Sequence, residues 1–187
     1  MFNRKRHGNL ALLQPDSEFD RSSIEGLIKH LGEISLFSDI RENYAALENL
    51  AKILEEHTYK PNTAIIEEGK SGTEMFFLIQ GQASVFKTTA DGEPYMVAIL
   101  NGSEHAFFGE GGLIGLDSRS ATIQADTQCY CLVLSQTAFQ NFCTQCPQWA
   151  LPILLQISRV VMNRLRKTNQ DLILLYTALV NEIRGGS

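Results

Sequence analysis

The stretch that decides the fold is FFGEGGLIGLDSRSAT, residues 107–122. Its flanks alternate apolar and polar residues as β-strands do, whereas its middle holds glycines at 109, 111, 112 and 115. Glycine has no Cβ, so the main chain can turn without strain and a ligand can approach it closely. A short helix that begins near Gly109 would also direct unpaired N–H groups and the positive end of its dipole outward. The stretch therefore predicts an anion-binding loop.

Two charged side chains of this stretch refine the prediction. Arg119 offers a planar guanidinium that suits two phosphate oxygens. Glu110 is unfavourable beside a phosphate, but its carboxylate can accept a hydrogen bond from a sugar hydroxyl. A phosphate next to a ribose describes a nucleotide. The alternative is that Glu110 and Arg119, nine residues apart in the sequence, form a structural ion pair across the loop.

The sequence around this stretch predicts a mainly β protein with flanking helices. Short runs rich in β-branched and aromatic residues are separated by glycine or polar turns, and Asp91-Gly92 has the chemistry of a tight hairpin. Even spacing of such strands predicts an antiparallel β jelly-roll barrel, that is, a double-stranded β-helix. The runs are TAIIEEG (63–69), EMFFLIQG (74–81), ASVFKTT (83–89), YMVAIL (95–100), SATIQA (120–125) and CYCLVLS (129–135).

Helical spacing of apolar residues appears on both sides of the strands. It predicts helices over 22–31, with SSIE as a capping signal, and over 43–56. A capped helix begins at SQTAFQNF (135–142), and a long helix runs from about Pro147 to Ile183 with Pro152 near its start. Its seam has coiled-coil spacing, so we expect a second copy of the same helix to cover it. The seam residues are Leu154, Val161, Leu165, Thr168, Leu172, Leu175 and Leu179.

The stretch 107–122 resembles the phosphate-binding cassette of the cyclic nucleotide-binding domain family. The usual form of that cassette is F-G-E-[LIV]-A-[LIV], a short loop, then P-R-[SAT]-A-T, and the spacing from Glu110 to Arg119 is similar to that in regulatory subunits of cyclic AMP-dependent kinase. Other segments that resemble the family stand in order around it, and the resemblance covers about 36–169. They are LFSDI (36–40), YKPNTAIIEEGKSGTEMFFLIQGQASVF (59–86) and LVLSQTAFQNF (132–142).

The resemblance implies a role for each position of the cassette, the name used below for residues 107–122. It implies that Arg119 holds the cyclic phosphate, that Glu110 and the Gly109 main chain hold the ribose 2'-hydroxyl, and that Ser120 and Ala121 add donors to the phosphate. Gly111 is part of this site, where it replaces the usual aliphatic residue after Glu110. Ser118 likewise replaces the usual proline before Arg119, and both changes loosen the loop.

The long helix resembles the dimer helix of transcription regulators of the catabolite activator (cyclic AMP receptor) type. Their RRLQVTS-like segment is similar to NRLRKTN (163–169). The resemblance implies that Thr168 and Asn169 contact the base, with Asn169 in place of the family's serine. The alternative is that Thr168, a polar residue in a leucine-rich seam, only fixes the register of the helices. Cyclic AMP is the ligand we expect, with cyclic GMP as the other possibility.

These features predict that the chain has three segments. They also predict a ligand sensor that carries no effector domain of its own. The parts are an N-terminal tail and helix (1–35), a cyclic nucleotide-binding β-barrel domain (36–146) and a C-terminal lid or dimerisation helix (147–187). No segment for a helix-turn-helix follows the long helix, so we expect no direct DNA contact. Ligand binding is expected to change the helix, a homodimer or an effector-protein surface. The alternatives are a degenerate scaffold that binds no nucleotide, and the sensor portion of a transcription regulator.

Bulk composition narrows the other function classes. The formal charge of -5 gives no general attraction to nucleic acid, and the absence of a long apolar run predicts a cytoplasmic protein without a membrane span. Arg4 to Arg6 are interpreted as a solvated tail. Histidines 7, 30, 57 and 105 are scattered without paired spacing, which argues against an enzyme and against a bound metal. The thiols of Cys129, Cys131, Cys143 and Cys146 fit buried small residues better than a four-thiolate or redox site.

Overall fold

The fold is that of two four-stranded antiparallel sheets with helices on the outer face of one of them. The computed structural model describes residues 23–115 and 118–185, so the predicted tail with Arg4 to Arg6 and His7 lies outside the described residues. The strands are β1 Glu55–Tyr59, β2 Ala64–Ile66, β3 Glu74–Gln80, β4 Gln82–Thr88, β5 Pro94–Asn101, β6 Phe107–Phe108, β7 Thr122–Ala125 and β8 Cys129–Ser135.

The first sheet has the strand order β1-β8-β3-β6 and the second the order β2-β7-β4-β5. All of their pairings are antiparallel, as predicted. The predicted closed barrel is wrong, because the ladders of the described residues form two separate sheets. The edge strands β6 and β2 have only two and three residues, so they offer few backbone groups for pairing across the gap.

Strands β3 and β8 lie in the middle of the first sheet and are buried on both faces. Successive side chains of a strand point to opposite faces. Phe76 and Leu78 therefore join a core between the sheets, whereas Met75 and Phe77 join a second core under the helices. This double burial explains the continuous apolar runs EMFFLIQ and CYCLVLS, which do not alternate with polar residues.

Between residue 23 and the first strand, the described chain forms two helices and a 3-10 helix. α1 spans Ile24–Glu33 and begins as predicted, since the Ser23 hydroxyl accepts a hydrogen bond from the Gly26 N–H at 3.1 Å. A 3-10 helix follows at Ser35–Ile40, and α2 spans Tyr44–Ala51. The prediction that the second helix reaches residue 56 is wrong, because the chain enters β1 at Glu55.

Three helices follow β6. α3 spans Glu110–Leu113, α4 spans Gln136–Gln145 with Ser135 as its cap, and α5 spans Pro147–Gly185. At about 1.5 Å per residue, α5 is roughly 58 Å long. Ala150, Ile153 and Ile157 are buried in the core under the helices, whereas the seam leucines beyond residue 161 are exposed. The first third of α5 therefore packs in the core under the helices, and Arg164 adds a contact with β6 farther along the helix.

Candidate functional site

The cassette begins on the edge strand of the first sheet. Phe107 and Phe108 in β6 pair with Phe77 and Phe76 of β3. Gly109 then caps α3 with φ of 79°, a left-handed conformation that favours glycine. The predicted short helix near Gly109 is thus confirmed. Leu116 and Asp117 lie outside the described residues, and the chain is described again from Ser118.

The Arg119 guanidinium lies at the centre of the cassette and is buried. Its side chain is only 7% exposed. One terminal nitrogen donates to the main-chain oxygen of Glu74 at 2.7 Å and to that of Gly109 at 3.3 Å. The other donates to the Glu74 carboxylate at 2.9 Å. The guanidinium thus has one anionic partner, Glu74 at the start of β3.

The backbone of Arg119 is anchored as firmly as its side chain. The Arg119 N–H donates to the Lys70 oxygen, and the Gly69 N–H donates to the Arg119 oxygen, each at 2.9 Å. Its guanidinium carbon lies 5.8 Å from the centre of the Phe76 ring, within the range of a cation–π contact. Burial lowers the pKa of Arg119, and the Glu74 carboxylate opposes that shift. The side chain is therefore a charged group held in place before any ligand arrives.

Three glycines make room for this guanidinium. A Cβ added to Gly109 or Gly112 would lie 3.0 Å from one terminal nitrogen, and a Cβ added to Gly72 would overlap the guanidinium itself. The sequence analysis assigned the glycines of the cassette to the approach of a ligand. In the structure, Gly109 and Gly112 leave the space that the Arg119 side chain occupies.

Glu110 contacts α5 rather than Arg119. Its carboxylate accepts a hydrogen bond from Arg164, whose other terminal nitrogen donates to the Phe107 oxygen at 3.2 Å. The Arg164 guanidinium carbon also lies 5.6 Å from the centre of the Phe107 ring. The alternative of a Glu110–Arg119 ion pair is therefore wrong, because each of these residues has a different partner.

The other predicted site residues fall into two groups. Gly111 and Ala121 are half-buried and Ser120 is exposed, and all three belong to the same loop as Arg119. Thr168 and Asn169 are exposed on α5, and the Thr168 hydroxyl donates to the Arg164 oxygen at 3.0 Å. They lie one helical turn beyond the Arg164 contact, so the structure brings α5 to the cassette at Arg164 and not at Thr168.

Sequence reasoning missed Glu74, Gly72 and Arg164. Glu74 and Gly72 lie in the segment 59–86 that resembles the family. The local sequence at the start of β3 does not indicate that Glu74 pairs with Arg119, 45 residues away. Arg164 carried a usable signal. It precedes Thr168 by four residues, so the two lie on the same face of the helix.

Cysteine and histidine positions give opposite outcomes. Cys129 and Cys131 lie in the core between the sheets, whereas Cys143 and Cys146 pack against the core under the helices. All four are free thiols, and the prediction of buried small residues is confirmed for Cys129 and Cys131, whereas Cys143 and Cys146 are half-buried. The prediction that the histidines are scattered is wrong for one pair, because His30 Nε2 lies 3.4 Å from His105 Nδ1.

Comparison with known proteins finds a match to a family model within the chain. Residues 56–146 match the family model described as the cyclic nucleotide-binding domain. A cyclic nucleotide-gated potassium channel of Mesorhizobium japonicum is 34% identical over 106 residues, which are 57% of this chain and 27% of the channel. A cAMP-dependent protein kinase regulatory subunit of Yarrowia lipolytica is 31% identical over 121 residues, which are 65% of this chain and 30% of the subunit. The chain thus spans less than a third of these curated relatives.

Solved structures support the fold. A cyclic nucleotide-binding domain from Methylobacillus flagellatus aligns with a TM-score of 0.68 over 80% of this chain and 82% of that one, at 19% identity. At this identity the likeness shows the fold alone. Within residues 23–115 and 118–185, no helix has a stretch long and apolar enough to cross a bilayer.

Proposed function

Because residues 56–146 match the model of the cyclic nucleotide-binding domain family, we propose that this chain is a sensor for a cyclic nucleotide, cyclic AMP in particular. The family is a regulatory, ligand-binding domain and not a catalytic one. We further propose the boundaries 1–35 for tail and first helix, 36–146 for the binding domain and 147–187 for the regulatory helix.

The observation that carries the proposal is the buried Arg119 guanidinium in its glycine-lined recess. A buried cation is costly unless an anion and hydrogen bonds compensate it. Three of its five N–H donors bond to Glu74 and Gly109 within the described residues, which leaves two for a ligand. A phosphate arriving here meets a charged fork whose orientation is already fixed, so little entropy is lost on binding. Ser120 and the Ala121 N–H are positioned in the same loop to add donors.

The ribose is proposed to bind Glu110 together with the Gly109 main chain. One carboxylate oxygen of Glu110 accepts from Arg164. A carboxylate has two acceptor oxygens, so the second can accept from the ribose 2'-hydroxyl. The ligand and α5 then share one side chain, with Gly111 giving the loop freedom to adjust. This sharing couples occupancy of the cassette to the position of the helix.

The base is proposed to reach Thr168 and Asn169 on α5. These side chains are exposed and stand one turn beyond Arg164. A modest shift or rotation of the helix relative to the cassette brings them over the base. The family binds cyclic AMP or cyclic GMP, and our preference for cyclic AMP rests on the resemblance of 163–169 to the catabolite activator type.

The proposed output is a change in the geometry of α5 within a homodimer or at an effector protein. Leu172, Leu175 and Leu179 are 63%, 69% and 56% exposed. A leucine seam of this spacing is covered when two such helices pair. Nucleotide that bridges the cassette and α5 shifts the balance between helix positions, and therefore the surface offered to the partner.

Calorimetric titration with cyclic AMP and with cyclic GMP tests this function. We expect one site per chain, and we expect Arg119→Ala to weaken binding by about 2–5 kcal/mol because it removes a buried phosphate contact. The matched control is Arg159→Ala, which removes an exposed arginine paired with Asp39 at 3.3 Å. Circular dichroism checks that Arg119→Ala is folded. Equal heats from the wild type and Arg119→Ala would contradict the proposal.

A second function, a scaffold that binds no nucleotide, is favoured by one observation. Arg119 already has an ion partner in Glu74. In a scaffold, Arg119 would only join β3 to the cassette. The same titration decides, since a scaffold gives no saturable heat with either nucleotide.

A further inference from the structure

A cluster of metal-ligating side chains lies outside the cassette, where α1 meets the loop before β6. His30 and Glu33 stand one turn apart on α1, and His105 ends the 3-10 helix Gly102–Glu104. His105 adopts a left-handed backbone with φ of 51°. This conformation is uncommon for a residue with a side chain, and here it accompanies the approach of the His105 ring to α1. Residues 75 positions apart in the sequence thus meet at one point.

The spacing of the ligand atoms is close to that of a metal site. His30 Nε2 lies 3.4 Å from His105 Nδ1. Two ligands of a tetrahedral zinc ion, each about 2.0–2.1 Å from the metal, lie about 3.3 Å apart. One ligand atom from each of the three residues can be chosen so that all three lie within 4.8 Å of one another.

The Glu33 carboxylate lies near the other ring nitrogen of each histidine. Its Oε2 atom lies 3.7 Å from His105 Nε2 and 3.9 Å from His30 Nδ1. The side chain is 51% exposed, so it can change rotamer without disturbing the core. From this position it either binds the ion directly or orients an imidazole that does.

We propose that His30, His105 and Glu33 bind one divalent transition-metal ion of the zinc class, which fastens α1 to the loop leading into the cassette. Two imidazoles and a carboxylate suit zinc and its neighbours and disfavour magnesium and calcium, which prefer all-oxygen sets. Three protein ligands leave a fourth position for water. The site is independent of the nucleotide proposal, because none of its ligands belongs to the cassette.

Zinc titration of the tag-free full chain, in competition with a chromophoric chelator, tests the site. We expect one equivalent to bind, and we expect His105→Gln and Glu33→Gln each to weaken binding by at least about tenfold. His57→Gln is the matched control, since His57 lies 3.6 Å from Glu55 on an exposed strand but belongs to no three-ligand cluster within the described residues. This control should bind zinc as the wild type does.

A second variant and a second readout distinguish metal binding by the thiols from metal binding by the imidazoles. Cys143→Ser combined with Cys146→Ser should leave the affinity unchanged, and the cobalt-substituted protein should show no thiolate charge-transfer band. Circular dichroism confirms folding of each variant. The proposal is overturned if no stoichiometric zinc binds, if both His105→Gln and Glu33→Gln bind as the wild type does, or if only the cysteine variant loses the metal.

Discussion

Among single residues, the buried Arg119 guanidinium is the central feature of the cassette. Arg119 is held by Glu74, by two main-chain oxygens and by the face of Phe76. The carboxylate is 43% exposed, so solvent screens part of the attraction. The Arg119–Glu74 pair nevertheless contributes more to stability than an ordinary surface ion pair, because the guanidinium is largely shielded from solvent.

Glu74→Gln tests this compensation. The amide keeps the shape and one acceptor oxygen but removes the negative charge, so Arg119 loses its counter-ion. We expect the free energy of unfolding of the ligand-free protein to fall by about 1–3 kcal/mol. Urea unfolding measures the change. Glu48→Gln, which removes a surface pair with Lys52 at 3.0 Å, should change it by no more than about 0.5 kcal/mol. Equal effects of the two variants would contradict the assignment.

The thiols offer a second prediction at this scale. Burial raises the pKa of Cys131 to about 12, with a smaller contribution from Cys129. Only the thiolate reacts with alkylating reagents, so Cys131 should resist iodoacetamide in the native protein at pH 8 and react once urea unfolds it. Mass spectrometry of labelled peptides reports this. Labelling of Cys131 as fast as that of Cys146 under native conditions would show that the core between the sheets opens.

At the scale of elements, α5 is joined to the cassette through Arg164. This side chain contacts both Glu110 and the Phe107 oxygen. It therefore fixes the carboxylate that we propose for the ribose, and it holds the middle of the helix against β6. The Glu110 carboxylate is thereby part of both the site and the helix anchor.

Arg164→Ala tests this coupling. Without Arg164 the Glu110 side chain is less ordered, so we expect cyclic AMP affinity to fall about fivefold or more, in line with coupling free energies of about 1–3 kcal/mol. Hydrogen exchange in residues 159–179 should also become faster in the ligand-free protein. Arg166→Ala changes an exposed arginine two positions along the same helix and should alter neither quantity. Unchanged affinity and unchanged exchange in Arg164→Ala would rule out the coupling.

The elements also show where sequence patterns succeed. Caps at Ser23 and Ser135 and the long helix α5 follow from local signals, and so does the short helix after Gly109. The strand β1, EEHTY, was missed because it is a mostly exposed edge strand without an apolar face, and its first two residues were assigned to a helix. Strand pairing within the sheets could not be predicted for a different reason. It joins residues that are far apart in the sequence, and such contacts produce no periodic pattern in the local sequence.

The predicted site divides in the same way. Arg119 and Glu110 were predicted as site residues because the residue types of one short loop carry their chemistry. Their partners Glu74 and Arg164 come from other elements, and the meeting of His30 with His105 likewise depends on how α1 packs. Local sequence identifies the charged groups, whereas only the fold decides what compensates each of them.

At the scale of the whole molecule, the outer two thirds of α5 expose a leucine seam. Such a surface is rarely left uncovered in a stable protein. We expect the chain to sediment as a dimer and Leu175→Asp to shift it towards the monomer, because a charge would be buried between the helices. Leu174→Asp is the matched control, since Leu174 is 68% exposed but lies outside the seam. A monomeric wild type, or equal effects of the two variants, would contradict dimerisation through the seam.

Nitrogen NMR of the arginine side chains tests whether Arg119 receives the phosphate of a cyclic nucleotide. With increasing cyclic AMP, we predict a saturable shift of the Arg119 Nε–H signal that ends at one equivalent, while the signal of Arg159 stays in place. An Arg119 signal that does not move at any nucleotide concentration, with the Glu74 ion pair intact, would contradict the claim.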